Sequence, residues 1–344
     1  MRRPFWLLAV LGAVVVGYLA VHGRRTHVTT LLSACPGIQA LAVQGKVAIL
    51  TGSGDLWCWN PATGLQTSVA PLHVPGPPAA AVAAEGDLVV LAAVDGSLTA
   101  GHAETARILW ERSLGEPLST SPTIGDGTVL ACCRSGAAEC LDLATGDTRW
   151  RCDLQGAARA APAWWHGQWW VPMQGGKLIA VSAAGEVLKG EMLSGEALAL
   201  VVAPSGLWAS VLPARLELIR YQAPNLCLPL DAGAAWLLPT RDGVVALACG
   251  GEATAVRATP AALLPLWSRT VADTLTAATV GPGPDGTEVI ASATVRGSVC
   301  LVDATTGHRL RRVAFPTNAP ASVVLGRGWL TLVSDDGAWL GALP

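Results

Sequence analysis

Along almost all of the chain, apolar positions either alternate with polar ones or run on briefly, in short stretches bounded by Gly, Asp, Ser and Thr. That is the pattern of half-buried or fully buried strands joined by tight turns. The clearest unit is GDGTVLACCRSGAAECLDLATGDTRW, residues 125–150. It predicts a strand over 128–133, a Gly turn, a second strand over 137–143, an Ala-Thr-Gly turn and a third strand entered at Trp150. No unit carries an apolar period of 3.6 over helical length, which excludes a helical repeat.

The unit repeats. A turn glycine falls at Gly54, Gly96, Gly136, Gly176, Gly297 and Gly337, at intervals of 42, 40, 40, 121 and 40 residues. The long interval holds two degenerate copies, one over 206–220 with Arg215 at the turn and one over 242–267 ending in Trp267. Copies of this length with three or four short strands bury their faces only against one another, as the blades of a propeller do. The expected fold is all-β: an eight-bladed β-propeller of four-stranded antiparallel blades over 24–344, preceded by one N-terminal hydrophobic helix. The last copy stops after its middle strand, while RRTHVTTLL (24–32) holds the register that 106–114 holds before a later copy. A strand over 26–32 is therefore expected to pair with the C-terminal blade and leave no open edge.

Ahead of the propeller, residues 5–22 are almost unbroken apolar sequence between Arg2-Arg3 and Arg24-Arg25. This is close to the roughly 20 residues that span a bilayer. Residues 1–23 are expected to be a signal anchor with its amino terminus inside. The chain would then be a single-pass protein of the cell membrane, its propeller on the extracytoplasmic, periplasmic side. Cleavage after Val21-His22-Gly23 is the alternative. Leu32-Ser33-Ala34-Cys35 also matches a lipobox, but GRRTHVTT separates it from the apolar run, and cleavage before Cys35 would remove the closing strand.

Composition then narrows the function. Hydrophobic residues at 51% against 14% charged argue against a disordered chain. A net charge of −2, with no run of Lys or Arg in the body of the chain, argues against nucleic-acid binding by a basic patch. The nine cysteines include no Cys-x-x-Cys pair, and His73, His102, His166 and His308 stand isolated in turns, so no metal site is expected. No Gly-x-Ser-x-Gly elbow is present, and no catalytic residue or bound cofactor is expected. Fourteen Trp stand against two Tyr and two Phe. Four of them, Trp164, Trp165, Trp169 and Trp170, flank a turn at Gly167-Gln168. Alternation points one of each adjacent pair inward, and an outward pair would form an aromatic anchor for a partner.

RSGAAECLDLATGDTRW and RGSVCLVDATTGHRL resemble the quinoprotein (PQQ-like) repeat, G-x-V-x-A-L-D-x-x-T-G-x-x-x-W, loosely over residues 24–344. The tryptophan of that pattern is replaced by Ser68 in copy one and Arg311 in copy seven. Families built on this repeat include PQQ-dependent alcohol dehydrogenases and the non-enzymatic lipoprotein B subunit of the outer-membrane β-barrel assembly machine; in length and copy number the chain is more similar to the second. That resemblance implies a monomeric, membrane-anchored scaffold binding envelope or membrane proteins. The alternative it implies is a quinoprotein oxidoreductase with Cys132-Cys133 at the cofactor site, since the dehydrogenases carry adjacent cysteines there. No acidic and amide set for the calcium such cofactors need is evident.

Overall fold

The computed structural model describes residues 16–21, 24–33 and 37–343. Eight sheets follow one another along the chain, at 37–73, 78–113, 123–153, 163–192, 197–229, 234–270, 275–314 and 322–342, numbered blades 1 to 8. Within each blade the strands pair in chain order as an antiparallel meander, from an inner to an outer strand. The outer strand of blade 1 is split into Leu65–Gln66 and Leu72–His73, both paired with Asp55–Asn60. Each inner strand lies against the inner strands of the two neighbouring blades, and the circuit closes where Ser322–Gly326 meets Gly37–Val43. The molecule is an all-β, eight-bladed propeller.

The outer strand of blade 8 comes from the far end of the chain. Arg24–Ser33 runs antiparallel to Gly337–Ala342, with Val28 opposite Gly341 and Ser33 opposite Gly337. Outside it lies a fifth strand, Val16–Val21, paired with Arg24–Ser33. This corrects the expectation of an N-terminal helix: residues 16–21 are extended. The remainder of the apolar run, residues 5–15 and His22, lies outside the described residues. A uniformly apolar run has no period, so it reads equally as a helix or as a buried strand. Among the described residues, no helix is long and apolar enough to cross a membrane.

Burial follows the ring. The second strands are buried along their length, as in Thr128–Cys132, because a neighbouring blade covers each face. Outer strands alternate instead, as in Thr148–Asp153. The buried apolar residues fall into eight clusters, one at each blade-to-blade interface. The core is thus a ring of separate seams.

Three seams carry a tryptophan latch. Trp110, Trp150 and Trp267 occupy equivalent outer-strand positions, opposite Ala100, Cys140 and Ala255. Each indole N–H donates to a carbonyl in the turn of the following blade: Leu143 at 2.9 Å, Ala183 at 2.9 Å and Ala304 at 3.0 Å. Each ring lies against that turn's glycine. At Gly146, where φ is +75°, an added Cβ would stand 2.7 Å from the Trp110 ring. The turn thus needs glycine both for its backbone and for the approach of the ring. Sequence placed the missing tryptophan in two copies only. Leu188 in blade 4 and Leu226 in blade 5 also hold this position, and Thr29 faces Leu340 in blade 8.

One seam is polar. Glu139, 7% exposed, accepts from Arg112 Nη2 of the preceding blade at 2.7 Å and from Thr148 Oγ1 at 2.6 Å. Arg112 Nη1 also donates to the Gly146 carbonyl at 3.1 Å, so the pair staples blade 2 to the latch turn of blade 3.

Candidate partner-binding face

The hairpins that join inner to second strands, and the turns that join third to outer strands, emerge on one face of the ring. In blade 4 the first of these is Trp165-His166-Gly167-Gln168. His166 and Gly167 have φ of 51° and 72°, so the hairpin closes on a two-residue turn with both central residues left-handed. Trp164 faces Trp169 across it with ring centroids 5.1 Å apart, and Trp165 lies 6.0 Å from Trp170.

The pleat divides the four tryptophans between two seams. Trp164 and Trp169 join the seam between blades 3 and 4, and Trp165 and Trp170 that between blades 4 and 5. Trp169 and Trp170 are buried, and Trp164 and Trp165 are half-buried. None of the four is an exposed anchor by itself.

Trp165 instead supports an exposed aromatic pair. Its ring meets His166 edge-on at 4.5 Å, and His166 stacks on Tyr221 at 4.8 Å with an interplanar angle of 21°. Tyr221 is 54% exposed. It sits in the turn after Arg215–Arg220 of blade 5, where Gln222 has φ of 55°. Arg220 stiffens that turn: Nε donates to the Pro224 carbonyl at 2.8 Å and Nη1 to Pro260 of blade 6 at 2.7 Å. A Trp–His–Tyr surface bridging two blades offers apolar area, one phenol hydroxyl and an imidazole at low ordering cost. In the sequence His166 stands as one of four isolated turn histidines, and Tyr221 belongs to no motif. The only available signal was the scarcity of Tyr and its place in a third-to-outer turn.

Cys132 and Cys133 do not form a cofactor cradle. Both are buried free thiols, and adjacent strand positions send them to opposite sides of blade 3: Cys133 into the seam with blade 2, Cys132 into the seam with blade 4. Burial pushes the Cys133 thiol up to about 11, with the Glu116 carboxylate adding to the rise. Cys132 is raised further, again by burial first. Neither is poised as a nucleophile.

The histidines remain dispersed. His73 pairs with Asp55 at 2.8 Å, His102 with Asp87 at 2.8 Å, and His308 lies 3.4 Å from Arg269. Among the described residues no three His, Cys, Asp or Glu side chains gather as a metal site would require. The central channel holds a cavity of about 250 Å³ lined by Gln39, Trp236, Thr276 and Ser322. Two of its polar groups serve the fold: Gln39 Oε1 accepts from Val82 N at 3.0 Å, and Ser322 Oγ from Ala40 N at 3.1 Å, whereas the buried Thr276 Oγ1 has no hydrogen-bond partner among the described residues.

Eight apolar seams, three of them latched by a tryptophan onto a turn glycine, define an eight-bladed β-propeller built from PQQ-like repeats. A family model described as outer membrane protein assembly factor BamB matches residues 24–159 and 73–205, together more than half of the chain, and the chain belongs to that family. Among solved structures it is similar to BamB from Moraxella catarrhalis, with a TM-score of 0.66 at 16% identity over 89% of this chain and 94% of that one. The computationally designed Ika8 protein gives a TM-score of 0.74 at 14% identity, covering 92% of this chain and 99% of that chain. The β-propeller domain of Cps50 (Swd1) from Myceliophteria thermophila gives 0.58 at 15% identity, covering 77% and 96%. At these identities the structures speak for the fold alone. No curated protein matches the chain.

Proposed function

We propose that this chain is a protein-binding scaffold of an envelope assembly, held at a membrane on its extracytoplasmic side. Partners dock on the turn face at His166 and Tyr221. Family membership carries the reading, because the matching family is described as an assembly factor of outer membrane proteins. The exposed stack supports it by supplying a rigid aromatic anchor of the kind that dominates interface energetics. The apolar amino-terminal run supports the membrane tether. Residues 5–15 alone fall well short of the roughly 20 that span a bilayer, so a spanning tether requires Val16–Val21 to leave the edge of blade 8.

The test is purification from membranes after mild crosslinking, with the wild-type chain and with Tyr221→Ala and His166→Ala. An envelope protein should be recovered with the wild type and fall at least about tenfold with either variant, as anchor truncations do. Recovery of no envelope partner, or equal recovery with the variants, refutes the assignment.

A further inference from the structure

Sequence shows no basic run, but the topology gathers one. The outer strands Leu263–Thr270, Arg309–Ala314 and Arg24–Ser33 of blades 6, 7 and 8 carry Arg269, Arg309, Arg311, Arg312, Arg24 and Arg25, and no Asp or Glu. The outer strands of blades 1 to 5 hold four cations (Arg112, Arg149, Arg151, Lys189) against three acids (Glu111, Asp153, Glu191). In a chain of net charge −2, one side wall is therefore cationic.

Three of the acids in these blades are already engaged. Asp242 pairs with Arg257 at 3.1 Å and Glu288 with Arg241 at 3.9 Å. Asp303 accepts from Thr305 N at 3.0 Å and Thr306 N at 2.7 Å. Interleaved with the arginines, Leu264, Leu266 and Leu310 are 47%, 39% and 54% exposed. The apolar strand Val16–Val21 lies beside Arg309–Ala314. The apolar amino-terminal run thus joins the ring at this wall.

We infer that the wall formed by blades 6 to 8 rests on an anionic phospholipid surface, with Arg269, Arg309 and Arg312 on the headgroup phosphates and its exposed leucines in the interface. Three features select this occupant together: cations without acids, exposed aliphatic side chains among them, and continuity with the apolar run. The ring would then stand side-on to the bilayer, with the His166–Tyr221 face left open for a protein. This inference rests on the membrane side of the proposed function and is read at a different surface from partner docking.

The test is amide hydrogen exchange on the full chain in nanodiscs of phosphatidylcholine, alone or with a third replaced by phosphatidylglycerol. Each arginine at an anionic leaflet favours the docked state about fivefold. Protection over 263–270 and 309–314 should therefore rise at least that much in the anionic discs, with 148–153 and 187–192 unchanged. High salt should remove the effect, the screening length falling to about 3 Å at 1 M. Arg309→Glu with Arg312→Glu should abolish it, and the Lys pair should retain it. Association with both discs but no difference between them overturns this inference alone; association with neither overturns the membrane reading with it. Protection shared by blades 3 and 4, or produced by duplex DNA and not by anionic lipid, overturns it as well.

Discussion

The latch between Trp110 and Gly146 makes a quantitative prediction for a double-mutant cycle. Gly146→Ala introduces two costs. The left-handed backbone, φ +75°, disfavours any Cβ by about 1–2 kcal/mol. The new methyl would also stand 2.7 Å from the indole, an overpacking worth about 1–3 kcal/mol. Trp110→Ala removes a ring only 8% exposed and leaves the Leu143 carbonyl without its donor, a loss of about 3–5 kcal/mol. In the double variant the ring that the new methyl would strike is gone, so only backbone strain is added. The two changes should therefore be less than additive, with a coupling of about 1–3 kcal/mol. Gly127→Ala is the control, because its φ is +65° but nothing lies within 4 Å of the added Cβ. Urea denaturation followed by far-ultraviolet circular dichroism measures all four proteins. Additivity within about 0.5 kcal/mol would show that ring and glycine do not press on one another, and the latch would be no more than adjacency.

Other expectations follow from single contacts. Arg112→Ala strands the Glu139 carboxylate in the seam and should cost about 2–4 kcal/mol, while Arg112→Leu with Glu139→Leu should recover much of it; a double variant no better than the single one refutes this. Thr30→Pro should weaken the pairing of Arg24–Ser33 with Gly337–Ala342 by about 3 kcal/mol or more, seen as faster exchange of 337–342; unchanged exchange there counts against the clasp. At mildly alkaline pH a thiol reagent should modify the exposed Cys227 and Cys249 while sparing Cys132 and Cys133 until unfolding, as peptide mass mapping would report; a Cys132–Cys133 disulfide under mild oxidant contradicts the opposed geometry. Arg149, and then the Thr145 N–H, hold the Asp142 carboxyl below the usual carboxylate range. A depressed carboxylate stabilises the fold above its unfolded value, about 3.9, and loses that contribution as pH falls through the folded one. The stability gap between wild type and Asp142→Asn should therefore close on acidification, and a gap that persists at about pH 2 rules this out.

The blades were legible because turn glycines and strand-length apolar runs are local signals, strong enough to place even the degenerate copies at 206–220 and 242–267. What failed depended on neighbours. Leu188 and Leu226 look like ordinary strand residues, and only the register shows that they stand where Trp150 stands in blade 3. His166 and Tyr221 belong to different copies, and blade packing alone stacks them. Cys132 and Cys133 look like one pair until the pleat sends them into different seams. The arginines of the side wall escaped notice because cations spread over three outer strands, at both ends of the chain, make no run.

The clasp of blade 8 also gives the ring a mechanical polarity. Any pull on the amino-terminal segment is borne first by Val16–Val21 and then by Arg24–Ser33, whose neighbour Gly337–Ala342 lies near the other end of the sequence. Tension there acts on the one blade assembled from both termini, while the seven continuous blades carry none of it directly. Loss of the clasp would leave blade 8 three-stranded, with a bare strand edge at Gly337–Ala342, while its inner strand still meets Gly37–Val43. A pull on the amino-terminal segment is therefore felt first as the uncovering of one defined edge.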